Sequence, residues 1–122
     1  MPEQRDIVLI PIPFTDLSSA RRRPVLVVSN DEYNHKTDDV VVVAMTSNPT
    51  QKDYVLTITN DHLEIGRLNR PGQVRVDKIY TLSQRIIVKT FGRINRQTFG
   101  EIRELLNRLT NPSYITDGTD MH

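Results

Sequence analysis

The 122-residue chain contains no cysteine and no tryptophan, three histidines, five glycines and only 6% aromatic residues. Each scarcity closes a class of function. Without cysteine there are no disulfides and no thiolate metal sites, which fits a reducing compartment. His35, His62 and His122 have no second ligand at metal spacing, so neither a metal nor another cofactor is expected. The glycines form no phosphate loop of the P-loop or Rossmann kind. Apolar runs stop well short of the roughly 20 residues that cross a bilayer. Met1 to Asp6 lack the basic start and apolar core of a signal peptide, so a cytoplasmic location is expected. With so few aromatic rings, a strand binder that stacks bases on several platforms ranks low.

Charge is present, but unevenly spread. The formal net charge is +1 and the pI is near 8.1. Between residues 67 and 96, eight arginines and lysines face Asp77 alone. Between residues 30 and 66, Lys36 and Lys52 face seven carboxylates. Such asymmetry points to a basic face suited to a polyanion.

The apolar pattern is that of many short strands and one helix. Strands are predicted over Asp6–Phe14, Pro24–Ser29, Val40–Met45 and Tyr54–Thr59. Further strands are predicted over Gln73–Asp77, Ile79–Leu82, Ile86–Val88 and Phe91–Ile94. The second and third are apolar throughout, as strands buried on both faces are. Thr15–Ala20 reads as a mobile loop, Asn30–Asp39 as a long polar loop, and Gly66–Gly72 as another loop closed by Pro71. Asn95 has the chemistry of a helix N-cap. After it, Phe99, Ile102, Leu105, Leu106 and Leu109 fall on one helical face until Asn111-Pro112 stops it. The expectation is a single domain over residues 1–112, mainly β with a C-terminal α-helix, folded as a small barrel, followed by a flexible tail over 113–122.

One stretch concentrates chemistry. Arg21, Arg22 and Arg23 precede Pro24 and the apolar run it opens. A proline is tolerated at a strand start, and the residue before it is held extended. Arg23 is therefore presented by stiff backbone, with a planar fork of donors suited to phosphate. If the second and third strands pair antiparallel, the start of one lies beside the end of the other. That places Arg23 next to Thr46 on one rim. A guanidinium beside a hydroxyl is a plausible binder of a pentavalent phosphate.

The blocks Asp6–Phe14, Arg23–Ser29, Ala44–Ser47 and Gln73–Ile79, taken in order, closely resemble the MazF/PemK family, toxins of type II toxin–antitoxin modules. The resemblance runs from about Asp6 to Leu109. It implies an SH3-like barrel of the MazF/PemK/CcdB toxin type, working as a homodimer. It implies metal-independent, sequence-specific cleavage of single-stranded RNA, with Arg23 and Thr46 as catalytic residues. Arg21, Arg22, Ser47, Gln73 and Arg75 match the substrate groove, and Arg21 and Arg22 lie by the loop that gates it. The partner implied is an antitoxin whose acidic, disordered C-terminal segment blocks that groove. One departure is Arg5, where the family usually has glycine before the aspartate. Two rival functions are weighed with this one. Same-fold toxins poison DNA gyrase by contact through the end of the C-terminal helix, and a non-catalytic single-strand binder would keep the groove without the chemistry.

Overall fold

The computed structural model describes residues 1–11, 22–47 and 53–112. Arg21, the predicted gating loop over 15–20 and the tail over 113–122 lie outside the described residues, as does the end of the first predicted strand beyond Pro11. Seven strands form one curled antiparallel sheet, followed by a C-terminal helix. The strands are β1 (Asp6–Pro11), β2 (Arg22–Val27), β3 (Asp39–Thr46), β4 (Val55–Ile58), β5 (Leu63–Gly66), β6 (Gly72–Ser83) and β7 (Lys89–Ile94). Their order across the sheet is β4-β6-β3-β2-β1-β7-β5. A short helix α1 (Asp31–Lys36) joins β2 to β3, and α2 (Arg96–Thr110) follows β7. Among the described residues no helix is long and apolar enough to cross a membrane.

The three central strands are apolar on both faces, as their unbroken hydrophobic runs required. One face closes around Ile7, Leu26, Val43, Val74, Val76 and Ile94, and α2 lays Phe99 and Ile102 onto it. The other face carries Val8, Val25, Val27, Val40 and Val42, with Ile10, Leu82 and Ile87 packed on them. The helix starts where expected, because the Asn95 side chain accepts a hydrogen bond from Thr98 N at 2.8 Å. It ends at Thr110, before Pro112.

The structure corrects three expectations. The polar stretch after β2 is not all loop, because residues 31–36 form α1. Asn30 caps it by accepting from Tyr33 N at 2.8 Å, and Asn34, fully buried, donates to the carbonyl of Ser29 at 3.1 Å. A helix held by caps and one buried amide carries no apolar stripe to announce it. Ile86–Val88 is not a strand. Gln84–Ile86 form a 3₁₀ turn, fastened when the Gln84 amide donates to the carbonyls of Asn34 and Asp39, both at 2.8 Å, and β7 begins only at Lys89. Residues 63–66 form β5 against β7, although the sequence reading assigns no element to residues 63–65 and places Gly66 in the loop over 66–72.

Two backbone features shape the barrel ends. Arg5 has φ +82, the left-handed region that glycine tolerates best. It is nearly buried and donates through Nη1 to Ile94 O at 2.8 Å and to Glu64 Oε1 at 2.9 Å. These bonds offset a backbone cost of about 1–2 kcal/mol. So the chain keeps a glycine-like conformation with an arginine. Gly66, with φ +86, crosses β7 so closely that a Cβ there would lie 2.5 Å from Phe91 O. That contact pins β5 and fixes where the chain leaves it.

Candidate active site

The register of β2 against β3 pairs Val25 with Ala44 and Leu26 with Val43. Carried two residues further, it sets Arg23 opposite Thr46. Ladder pairing to β3 stops at Val25, so Pro24 costs no bond on that side; its partner on β1 is Leu9. Arg23 stands opposite Ile10 on β1 and is exposed, while Thr46, the last residue of β3, is half-buried.

Both residues line one hollow of about 580 Å³ at the barrel's mouth. Leu9, Met45 and Phe91 give it an apolar floor. Arg22, Arg23, Thr46 and Ser47 form one wall, and residues 68–72 the other. No carboxylate lines this hollow, and Arg22, Arg23 and Arg70 enter no ion pair among the described residues. Three guanidiniums facing one cavity make it a place for anions.

Gln73 and Arg75 stand next along the sheet. Gln73 pairs with Thr46 on one side and Thr57 on the other, and Arg75 pairs with Ala44. Residues directly opposite share a face, so both lie on the face of Thr46 without lining the hollow. Gln73 Oε1 accepts from Thr57 Oγ1 at 3.0 Å. Arg75 is held as a fork by Asp77, Nε to Oδ1 at 3.2 Å and Nη2 to Oδ2 at 2.9 Å. That hydrogen-bonded guanidinium lowers the Asp77 carboxyl below its ordinary pKa. The structure thus gathers Arg22, Arg23, Thr46 and Ser47 in one mouth and sets Gln73 and Arg75 on the adjoining strand. The wall formed by residues 68–72, with Arg70, had escaped the sequence reading. Among the described residues no three histidines or carboxylates come together as they would around a metal ion.

A larger hollow, of about 780 Å³, opens at the other end between α1, α2, Val41 of β3 and the residues just before β1. Arg96 and Arg103 reach it from exposed helix positions, and Arg5 from its bonds to Glu64 and Ile94. Arginine there is not matched with a strand-end hydroxyl, so the mouth is the better chemical site.

The model of the PemK-like, MazF-like toxins of type II toxin-antitoxin systems matches residues 3–110. This chain belongs to that family. No curated protein matches it. Among solved structures, an endoribonuclease in complex with its cognate antitoxin from a mycobacterial species is similar, 22% identical, over 93% of this chain and 99% of that one, with a TM-score of 0.71. MazF (Form-I) from Deinococcus radiodurans is 23% identical over 88% of this chain and 94% of that chain, TM-score 0.69. Mycobacterium tuberculosis toxin MazF-mt6 is 16% identical over 90% and 100%, TM-score 0.71. At these identities the likeness is one of fold, and the curled sheet with its C-terminal helix is the MazF-type fold.

Proposed function

We propose that this MazF/PemK-type toxin is an endoribonuclease that cuts single-stranded RNA at its barrel mouth without a metal ion. The observation that carries this reading is Arg23 set opposite Thr46 in a hollow that also holds Arg22 and Arg70 and, among the described residues, no carboxylate. The guanidiniums there donate to phosphate and repel cations, and the hydroxyls of Thr46 and Ser47 can donate beside them. Two solved structures of the same fold are called endoribonucleases, and one of them holds its cognate antitoxin.

In this mechanism the ribose 2′-hydroxyl attacks the adjacent phosphorus. The bond to O5′ breaks, the leaving oxygen takes up a proton as a 5′-hydroxyl, and a 2′,3′-cyclic phosphate remains. An arginine keeps its proton at ordinary pH, so Arg23 acts by holding the charge that grows on the non-bridging oxygens. Thr46 donates its hydroxyl to the same phosphate. Arg22, Ser47, Gln73 and Arg75 line the path of the strand; Arg21, which the family resemblance adds to them, lies outside the described residues. Cleavage at specific short motifs is read by these groove residues.

The active form is a homodimer in the cytoplasm. Its support is apolar surface left outside the barrel: Tyr80, opposite Val42, is 47% exposed, and Ile79 and Val88 are 44% exposed. An antitoxin segment rich in carboxylates would occupy the same mouth. The test is incubation of the purified chain with a long unstructured RNA in EDTA, beside Arg23→Ala, with the new ends mapped. Discrete cuts with 5′-hydroxyl ends, lost in the variant, are expected. No cuts from the folded wild-type chain across several RNAs would overturn the reading.

A further inference from the structure

The far wall of the mouth repeats a device seen on the near wall. Arg23 precedes Pro24, and Arg70 precedes Pro71. Pro24 follows an Arg23 held extended in β2, while Arg70 sits in a bend that Pro71 closes; in both, the proline ring restricts the arginine's backbone. Both arginines line the same hollow. Arg70 lies in the short connection between β5 and β6, where an exposed arginine would ordinarily wander.

Here it is tied down. Asn60 makes two hydrogen bonds to the backbone of Leu68, accepting from its N–H at 2.6 Å and donating to its carbonyl at 3.1 Å. The Leu68 side chain packs against the core from the same connection. Asn60 is itself held, because it opens a 3₁₀ turn closed by a reciprocal cap. His62 Nδ1 accepts from Thr59 N at 2.9 Å, and Thr59 Oγ1 accepts from Asp61 N at 3.3 Å. The turn is joined to the start of α2 when Asn95 N donates to His62 O at 2.8 Å. At the near end of the connection, Gly66 is locked against β7. The connection is anchored at Gly66 and Leu68 and restricted at Pro71, and of its two arginines, Arg67 and Arg70, Arg70 is the one that lines the hollow.

We propose that Arg70 is a second phosphate-binding arginine of this site, contacting the RNA backbone beside the scissile phosphate, with Asn60 as its positioning residue. The inference rests on the reading that the mouth takes RNA. It adds a task that Arg23 does not perform. Arg23 stabilises the phosphate that reacts, while Arg70 holds a neighbour that does not, and so contributes binding in ground state and transition state alike.

The test is affinity for a fluorescent single-stranded oligoribonucleotide against salt, in a Thr46→Ala background so that nothing is cut. Arg70→Ala should weaken binding about tenfold and reduce the slope of log affinity against log salt by about 0.7, the value of one lost phosphate contact on a single strand. Arg70→Lys should restore most of both, since it keeps the charge. Asn60→Ala should weaken binding about threefold alone and not at all in the Arg70→Ala background, because residues acting through one contact are not additive. In cleavage by the otherwise wild-type chain, Arg70→Ala should raise KM and leave kcat within about twofold. An unchanged salt slope in Arg70→Ala, or an Asn60→Ala loss of equal size with and without Arg70, would overturn the proposal. A reduced slope in a chain that cuts no RNA would uphold Arg70 and sink the cleavage reading.

Discussion

Arginine stands at both ends of the barrel, and at one of them Arg5 and Arg93 are matched with acid. At the end where β1 begins, Arg93 Nε bonds Asp6 Oδ1 at 2.8 Å and its Nη2 lies 3.3 Å from Glu3 Oε2. Arg5 bonds Glu64 beside them. At the mouth, about five residues or roughly 16 Å along β2, Arg22, Arg23 and Arg70 face a hollow that no carboxylate lines among the described residues. The same residue type serves structure where its charge is cancelled and ligand capture where it is not. The pKa directions fit the first case. The hydrogen bond from Arg5 lowers the Glu64 carboxyl, and the Asp6 carboxylate raises Arg93.

The sharpest way to break this contrast is to remove one arginine from each end. Arg23→Ala should lower the cleavage rate about 100- to 1,000-fold, the usual cost of one preorganised donor, and leave thermal unfolding unchanged. Thr46→Ala should fall in the same range. Unimpaired cutting by either variant would take that residue out of the chemistry. Arg5→Ala should do the reverse, destabilising the fold by about 2–3 kcal/mol in urea titration, since it keeps a positive φ and orphans a buried carbonyl, while the cleavage rate of the folded fraction holds. Arg5→Gly should recover about 1 kcal/mol of that loss, because glycine accepts the backbone angle. A glycine variant no more stable than the alanine variant would show that φ is not what Arg5 contends with.

A smaller effect concerns pH. Glu64 and Asp77 have carboxyls lowered in the folded chain by Arg5 and Arg75 respectively. A depressed carboxyl stabilises the fold above its unfolded pKa, near 4.5 for Glu64 and 3.8 for Asp77, and that stability is lost as pH falls through the lower folded value. The unfolding midpoint should therefore be level from neutral pH down to about 5 and decline below it. Glu64→Gln should flatten part of that decline. A Glu64→Gln profile that overlays wild type would remove this ion pair from the acid response.

Much of the site was legible because antiparallel geometry is simple. Two unbroken apolar strands that pair antiparallel place the start of one at the end of the next, so Arg23 and Thr46 come to one rim without any knowledge of the core. Asn95 and the spacing of Phe99 and Ile102 likewise announced α2. What stayed hidden depends on contacts remote in sequence or on polar caps. α1 rests on Asn30 and buried Asn34, and polar residues give no periodic signal. Ile86–Val88 has strand composition, yet the Gln84 amide holds residues 84–86 in a turn. Arg70 looked like one more basic residue in a loop, because the clamp from Asn60 spans eight positions and shows only in space.

The sheet's order has one more consequence. Its long central strands are apolar on both faces, the composition most prone to templating a foreign strand. Yet the sheet ends at β4 and β5, each of four residues. An incoming chain would find few rungs there before the ladder ran out, and at β5 it would meet Glu64 and a glycine locked against β7. The short margins act as a guard against fibre growth, and they allow a strongly hydrophobic interior to remain a discrete particle.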